Sequence, residues 1–466
     1  MKRIAALVAV TLAAAAAPAW EDDTTHAGLT EQAALASRLH ARLQAFFARR
    51  GGWLEPLRLA PERAKALYAK LALLEPSSGV VPDRAGRQSA LSWLLAGSVV
   101  EGMPAAREQN HFYDPIAKRG LRGSDSAPLT LFIQTGISAV GGAGVPAPDW
   151  IVAKENDLGV ARFWLELERS VVAPGPAERD EHLAMAFVSA GAMLHVLEDM
   201  GAPARTRGDL DEFLLPLGGG PRDRGSRFER LAALVFGRLG VPPAGPAVER
   251  KGLRDYFTAA DGQGLADLTN ATWYSSGTLP ADVIVPVSAR SHPGEIAGLI
   301  AKASRYPAPR PGKDLPLAGD SASPDGLVVR GEDGVCRANY RIDDGTIHFS
   351  ISDDCAAAQL RAILPQVGGY AAGFLEHLFR GGLAVIVESG TARVSVPKSE
   401  LQLGAGQLTF VVEDATGQRK VVGTGELRDG TANLNVPADA ARVFVVFRGV
   451  DSNGESLIAV GSGAAK

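Results

Sequence analysis

The sequence predicts a mainly α-helical protein, with a large helical domain followed by a small all-β sandwich. Two patterns support this fold class. Through the first half of the chain, apolar residues recur at the three- and four-residue spacing of helices that bury one face. After residue 382 the pattern changes to several short runs of β-branched residues separated by Gly, Asp and Asn, which is typical of a β-sandwich.

The composition fits a globular chain and excludes several protein classes. The chain has 466 residues, 46% of them hydrophobic, which is enough for a large core and for two or three domains. Its 48 Lys and Arg nearly balance 52 Asp and Glu, which argues against a basic coat for nucleic acid and against an acidic disordered chain. Two cysteines are too few for a disulfide-rich scaffold or a Cys₄ zinc module.

Residues 1–19 predict a secretory signal peptide. Lys2 and Arg3 precede an uncharged apolar run, and an Ala-Pro-Ala cleavage site ends at Ala19. The run is shorter than the roughly 20 residues that a membrane span needs. Cleavage there makes Trp20 the first mature residue, and we expect a secreted or periplasmic protein.

The elements predicted along the chain fall into three regions. Helical spacing predicts helices over residues 29–74, 90–100, 157–171, 179–200, 226–239, 294–304 and 356–379, the last interrupted at the glycine pair 368–369. We therefore expect a signal peptide at 1–19, a helical domain at 20–381 with a β-hairpin insertion at about 327–355, and a β-sandwich domain at 382–466.

The two cysteines flank the predicted hairpin. Between Cys336 and Cys355 apolar and polar residues alternate around Asp344-Gly345, which is a turn signal. In an oxidising compartment a disulfide at the base of this hairpin is one interpretation, and two reduced cysteines are the other.

Some residues could bind a metal ion, although each signal is weak alone. His195 and Asp199 are four residues apart on a predicted helix, so both side chains can reach one ion. Many helices contain such a pair, and a core histidine with a carboxylate partner is the simpler interpretation. The polar and aromatic run 110–115, which contains His111, and His26 near the predicted mature start are equally unspecific alone.

Together, and in this order, these features resemble the zinc-dependent phospholipases C and the related single-strand-specific zinc nucleases. The matching elements are Trp20 at the cleavage site, Thr25-His26 with Leu29-Thr30, Asn110-His111-Phe112-Tyr113-Asp114-Pro115, and His195-x-x-x-Asp199 followed by Pro203. The resemblance covers residues 20–240 and, through fewer positions, the helix at 369–379. In that family the first mature residue is a Trp whose free α-amino group and carbonyl oxygen bind zinc.

The resemblance implies a pair of zinc ions joined by one carboxylate. The first ion would be bound by the terminus of Trp20, by His26 and by Asp199. The second would be bound by His111, His195 and the same Asp199, which bridges the two ions. We expect these two zinc ions as cofactors.

The remaining family ligands are partly replaced in this chain. A further Asp of the second site corresponds to Gly102, next to Glu101. The two histidines of a third zinc site correspond to Arg205 and Gly225, and only its carboxylate, Glu229, is present. The third zinc site is therefore incomplete, and whether Glu101 compensates at the second site stays open.

The resemblance implies a zinc-dependent phosphodiester hydrolase of the phospholipase C type that uses metal-bound hydroxide, since zinc lowers the pKa of bound water to about 7. We hypothesise that Arg205, oriented by Glu229, partly replaces the third zinc ion in binding phosphate oxygens. The catalytic candidates are Asp199, Arg205 and Glu101. The expected partner is a phospholipid or another phosphodiester, with contact to a membrane surface, without a stable nucleic-acid partner and as a monomer.

Two alternatives stay open. A zinc nuclease of the same fold would stack a base on an aromatic side chain such as Phe112 or Tyr113. A non-catalytic, zinc-stabilised binding protein would also show the loss of one Asp and two His, as in a decayed active site. In that interpretation Arg205 and Glu229 form an ordinary salt bridge.

Overall fold

The computed structural model describes residues 22–74, 79–121, 144–209, 228–229, 231–234, 242–290, 292–303, 327–427 and 430–465. The helices in these ranges are α1 (Ala27–Ala36), α2 (Leu39–Ala45), α3 (Lys65–Leu71), α4 (Ala90–Val100), α5 (Ala147–Trp150), α6 (Val160–Val172), α7 (Pro176–Glu198), α8 (Pro203–Arg207), α9 (Leu265–Thr272), α10 (Pro293–Ala303) and α11 (Asp353–Leu378). The signal-peptide prediction, Trp20 and Gly225 lie outside the described residues.

The strands form four antiparallel sheets in the part of the chain that is described. They are β1 (Pro56–Arg58), β2 (Arg87–Ser89), β3 (Val283–Ile284), β4 (Leu327–Arg330), β5 (Cys336–Asp343), β6 (Thr346–Ser350), β7 (Ala384–Glu388), β8 (Thr391–Ser395), β9 (Leu403–Glu413), β10 (Arg419–Gly425), β11 (Thr431–Asn435), β12 (Arg442–Asp451) and β13 (Ser456–Ala464). The strand orders are β1-β2, β3-β6-β5-β4, β10-β9-β12-β13 and β11-β8-β7.

Helix α7 is the central helix of the helical region and is buried along most of its length. Pro176 occupies its first turn, where a helix needs no amide donor. Residues Pro176–Gly201 contain an 18-residue stretch with the hydropathy of a membrane span, but this stretch is buried inside the protein, as is common for a core helix. The last turn of α7 carries His195 and Glu198, so the core helix also positions polar side chains.

Two glycines allow α4 and α7 to cross at very short distance. A Cβ on Gly97 would lie 2.1 Å from a backbone oxygen of α7, and a Cβ on Gly191 would lie 1.9 Å from a backbone oxygen of α4. Neither separation is possible for real atoms, so both positions require glycine. The crossing brings the carbonyl oxygen of Ser98 to 2.6 Å from His195 Nδ1.

Most predicted helices are present. The helix predicted at 90–100 coincides with α4, and those at 157–171, 179–200 and 294–304 match α6, α7 and α10 to within three residues. Residues 29–74 form three separate helices, and β1, which pairs with β2, lies between the second and the third. Only six residues of the predicted helix 226–239 are described, at 228–229 and 231–234, and all six are helical.

The interruption predicted in the last long helix is wrong, since α11 continues through the glycine pair 368–369. A Cβ on Gly369 would lie 2.7 Å from the carbonyl oxygen of Pro246, and one on Gly373 would lie 1.8 Å from that of Val248. These glycines therefore permit an extended segment to pack against the helix, and they do not end it.

The predicted hairpin and disulfide are both present. Strands β5 and β6 pair around Asp344 and Gly345, whose φ angles of 46° and 76° suit a tight two-residue hairpin turn. Cys336 at the start of β5 and Cys355 in the first turn of α11 form a disulfide. The disulfide joins the inserted sheet to the longest helix.

The C-terminal β region consists of two sheets that pack on each other and on α6. Five consecutive residues of β12, from Val443 to Phe447, are buried. Because successive side chains of a strand point to opposite faces, both faces of β12 are covered. The molecule therefore has a helical region and an all-β region that share one hydrophobic core, and the boundary expected at 381–382 stays a prediction.

Partly buried arginines attach the β region to the helices. The Arg419 guanidinium lies 3.4 Å above the Phe444 ring, and its Nη1 donates to the Val171 carbonyl at 2.7 Å. Arg380, just after α11, donates from Nε to Asp451 Oδ2 at 3.2 Å. These contacts satisfy polar groups where the two regions meet.

The close contact between α4 and α7 leads to a prediction about the free energy of unfolding. Gly191→Ala should lower the free energy of unfolding by about 1–3 kcal/mol, because the added methyl group overlaps a backbone oxygen in a packed core. Gly298→Ala in α10 is the matched control, since its Cβ meets no atom within 4 Å, and it should raise stability by about 0.5–1 kcal/mol. Urea unfolding measures both, and equal effects of the two substitutions would contradict the close crossing.

The burial of His377 leads to a prediction about how the free energy of unfolding depends on pH. Burial, and then the charge of Arg380, lower the pKa of His377 to about 3 from an ordinary value of 6.5. As the pH falls from about 6.5, the unfolded chain binds this proton and the folded chain does not, so the free energy of unfolding decreases by up to a few kcal/mol. His377→Phe, which keeps the contact with Tyr256, should lose less stability between pH 7 and pH 4.5 than the unmodified protein. An identical loss in urea titrations at the two pH values would refute this.

Candidate metal centre

Three histidines, five carboxylates and one arginine form a buried centre where α4 and α7 end. We call this set the buried centre: His26, Glu101, Glu108, His111, His195, Glu198, Asp199, Arg205 and Glu229. None of its members is more than 3% exposed. His26 precedes α1, Glu108 and His111 come from the 3₁₀ turn Ala105–Asn110 and the residue after it, and Arg205 lies on α8.

His26 is oriented by a buried carboxylate. Its Nδ1 donates to Glu198 Oε2 at 2.8 Å, and Thr30 Oγ1 donates to Glu198 Oε1 at 2.8 Å. This arrangement directs Nε2 towards Asp199 Oδ1, at 3.4 Å. Histidines that bind metals usually have the other ring nitrogen fixed in this way by a carboxylate or a carbonyl.

His195 shows the second form of the same arrangement. Its Nδ1 donates to the carbonyl of Ser98 at 2.6 Å, and its Nε2 lies 3.4 Å from Asp199 Oδ2. The ring stacks on His26 with the centroids 3.6 Å apart. Burial, and then the neighbouring charge of His26, hold the pKa of His195 well below its usual range, so the imidazole is neutral and Nε2 carries a lone pair.

His111 and His195 approach the same oxygen of Asp199. His111 Nδ1 donates to Asp199 Oδ2 at 2.9 Å, and His111 Nε2 is 3.5 Å from Glu101 Oε1. Glu101 thus faces His111. Both Glu101 oxygens are already engaged, by Trp150 Nε1 at 2.9 Å and by Arg107 Nη2 at 2.6 Å. Glu101 therefore orients its neighbours and has little freedom to act as a general acid or base.

Arg205 is surrounded by carboxylates. Its Nε donates to Glu229 Oε1 at 3.0 Å and lies 3.3 Å from Asp199 Oδ1, and its Nη2 donates to Glu108 Oε2 at 2.8 Å. The pairing with Glu229 inferred from the sequence is present. Glu229 contacts the arginine and belongs to neither group of metal-ligating atoms described below.

Glu108 was not identified from the sequence. Its Oε2 lies 3.7 Å from His111 Nδ1, and its Oε1 lies 3.9 Å from His195 Nε2. A usable signal was its position three residues before His111, which places both side chains on one side of a tight turn. Glu198 was missed as well, because the acidic pair 198–199 offers two candidates and only Asp199 fits the His-x-x-x-Asp spacing.

Excess negative charge dominates the electrostatics of the buried centre. Burial alone would lower the pKa of His26 and of His111. The carboxylates of Asp199 and Glu198 instead raise the pKa of His26 to about 10, and Glu108, Asp199 and Glu101 raise that of His111 to about 9. Five buried carboxylates thus attract positive charge, which protons or a divalent cation can supply.

The side chains fit a metal ion. Two groups have ligand atoms within 4.8 Å of one another: His26, His195 and Asp199 form the first, and Glu108, His111 and His195 form the second. A tetrahedral zinc site with bonds of about 2.0–2.1 Å separates its ligand atoms by about 3.3–3.4 Å. His26 Nε2 lies 3.4 Å from Asp199 Oδ1, and His195 Nε2 lies 3.4 Å from Asp199 Oδ2, so each oxygen of Asp199 has one imidazole at this distance.

Unsatisfied polar atoms support the same interpretation. Among the described residues, no hydrogen bond of acceptable geometry reaches these three buried atoms: His26 Nε2, Asp199 Oδ1 and Glu108 Oε1. Leaving such atoms unpaired costs about 1–3 kcal/mol each, and coordination of a cation satisfies them.

Comparison with known proteins gives little further information. No family model and no curated protein matches the chain. Among solved structures, alpha toxin from Clostridium absonum is 12% identical, with 92% of this chain and 88% of that chain covered and a TM-score of 0.28. The alpha-toxin of Clostridium perfringens from avian strain SWCP is 11% identical, and the match covers 96% of this chain and 100% of that chain with a TM-score of 0.27. Scores this low support no inference, so the buried centre is interpreted from its own geometry.

The orientation of His26 can be tested. Glu198→Gln should weaken binding of the first ion by about 10–100-fold, because the neutral amide no longer fixes the charge and direction of the imidazole. Thr30→Val, which removes only the hydrogen bond to the other oxygen of Glu198, should have a smaller effect. Zinc affinity by competition with a chelator measures both, and unchanged affinity in Glu198→Gln would show that His26 is not a ligand.

Proposed function

We propose that this chain is a zinc-dependent phosphodiester hydrolase of the phospholipase C type that binds two zinc ions. The observation that carries the proposal is the environment of Asp199. Each of its carboxylate oxygens has an imidazole Nε2 at 3.4 Å, and the other nitrogen of each of those rings, in His26 and His195, is fixed by a separate acceptor. The motifs that resemble the zinc phospholipases C support the same assignment.

The ligands divide between the two ions. His26, Asp199 and the terminus of Trp20 would hold the first ion, and His111 with His195 would hold the second, with Asp199 between the ions. His195 belongs to both groups by distance, but a single Nε2 binds one ion. When bound, the zinc ions supply an activated water near neutral pH and stabilise negative charge on phosphate oxygens.

The chain's own residues set the electrostatics of the reaction. Asp199 fixes the spacing of the imidazoles, and Glu198 and Ser98 hold the tautomers of His26 and His195. Arg205 places a positive charge beside Asp199. Arg205 does not reach a phosphate in this arrangement, because the residue is 1% exposed and its guanidinium is held by carboxylates.

A second candidate function is a non-catalytic protein that zinc stabilises. The observation that favours it is burial: a substrate reaches side chains that are at most 3% exposed only after a movement of the surrounding chain. Secretion, a lipid or other phosphodiester as substrate, contact with a membrane surface and a monomeric state belong to the first proposal. The zinc nuclease is a third outcome that the assay below distinguishes.

The experiment compares the mature protein beginning at Trp20 with a protein carrying one extra residue before Trp20. Zinc content is measured by mass spectrometry, and turnover is measured on phosphatidylcholine vesicles, single-stranded DNA and a soluble aryl phosphodiester. We expect about two zinc ions and lipid turnover in the mature protein, and loss of one ion and most activity in the extended protein, since the extension removes the free α-amino ligand.

The other outcomes separate the candidates. Two bound zinc ions without turnover on any substrate, together with a lower melting temperature after chelation, would favour the non-catalytic protein. Turnover on DNA alone would favour the nuclease. Absence of zinc from the mature protein would refute all three.

A further inference from the structure

We infer that Glu108 is a ligand of the second metal ion and that Arg205 is the residue that positions it. This inference rests on the proposed two-ion site. It supplies a carboxylate ligand for the second ion, which otherwise lacks one of the family's ligands. The resemblance places a carboxylate of the second site at position 102, where this chain has Gly102. Glu108 supplies a carboxylate from a different turn to the same pair of histidines.

The geometry of Glu108 supports a ligand role. Its side chain is buried beside two imidazoles, with Oε2 3.7 Å from His111 Nδ1 and Oε1 3.9 Å from His195 Nε2. Among the described residues, Oε1 accepts no hydrogen bond although it is buried. A buried carboxylate oxygen without a donor is costly, and a divalent cation between Glu108 and the histidines removes that cost.

Glu101 does not fit this role, although it is adjacent to the missing carboxylate in sequence. Trp150 and Arg107 each donate to one of its oxygens, so binding an ion would break one of these buried hydrogen bonds. Glu108 has one engaged oxygen and one oxygen without a donor. Glu101 thus holds Trp150 and Arg107, whereas Glu108 has an oxygen available for a metal ion.

Arg205 determines which oxygen of Glu108 is available. Its Nη2 donates to Oε2 at 2.8 Å while its Nε donates to Glu229 at 3.0 Å, so the planar guanidinium is fixed between two carboxylates. Oε1 is then directed towards His195. A lysine has a single ammonium group and lacks the planar fork of donors that bonds both carboxylates in this geometry. Arg205 therefore acts on the ion through Glu108, as a positioning residue.

The first experiment uses Glu108→Gln in the mature, zinc-loaded protein. Zinc stoichiometry and the two dissociation constants are measured by competition with a chelator, and the visible spectrum of the cobalt-substituted protein reports the ligand set. We expect one ion to stay with unchanged affinity and the dissociation constant of the second to rise at least about 100-fold, with a changed cobalt spectrum.

The matched control is Glu166→Gln. Glu166 is also a buried carboxylate, 2% exposed, and it is paired with His182 at 2.5 Å and with Arg162 at 2.9 Å, but it lies outside the buried centre. Loss of a buried carboxylate as such should destabilise both variants, whereas only Glu108→Gln should change metal binding. If Glu108→Gln does not fold, Glu108→Asp, which keeps the charge and withdraws it from the histidines, should weaken only the second ion.

The second experiment tests whether Arg205 acts through Glu108. Arg205→Gln alone should weaken the second ion by about 10–100-fold, and in the Glu108→Gln background it should weaken that ion no further. Additive effects of the two substitutions would refute the positioning role.

The failure of this inference can be told apart from failure of the proposed function. If the unmodified protein binds two ions and Glu108→Gln binds both with unchanged affinity, the ligand role of Glu108 is wrong and the two-ion site stands. If the unmodified protein binds no ion, both are wrong.

Discussion

The need to neutralise Asp199 organises the buried centre. This carboxylate is fully buried, and an isolated charge in such a position is very costly unless it is paired. Burial opposes its ionisation, but the Arg205 guanidinium and the surrounding imidazoles hold the pKa of Asp199 well below its usual range, so it stays charged. Its neighbours are therefore fixed by the requirement that each oxygen faces a cation, a proton or a metal ion.

The fold meets this requirement by joining rigid elements at one place. Gly97 and Gly191 let α4 and α7 cross so closely that a backbone carbonyl of α4 fixes the tautomer of His195. Asp199 follows in the turn after α7, and α8 then returns Arg205 to the same point. A centre built on helix ends in a shared core has little positional freedom, which suits metal binding and also explains why its side chains are hidden from solvent.

The sequence predicted the parts of the site that depend on local spacing. The i,i+4 pair His195 and Asp199 shares one helix face, so its convergence follows from helical geometry alone. The carboxylate of Glu108 could not be predicted in the same way, because its contact with His195 joins residues 87 positions apart along the chain, across a turn whose direction depends on packing. The glycines of α11 show the same limit, since local propensity predicts a break where tertiary contact requires a small residue.

The most direct test of this account is a crystal structure of the mature, zinc-loaded protein with anomalous diffraction recorded at the zinc absorption edge. The account predicts two anomalous peaks inside the buried centre. One should be bound by His26 and Asp199, and the other by His111 and Glu108. A centre without either peak, in crystals of protein shown to retain its native fold, would contradict the assignment of these residues as metal ligands.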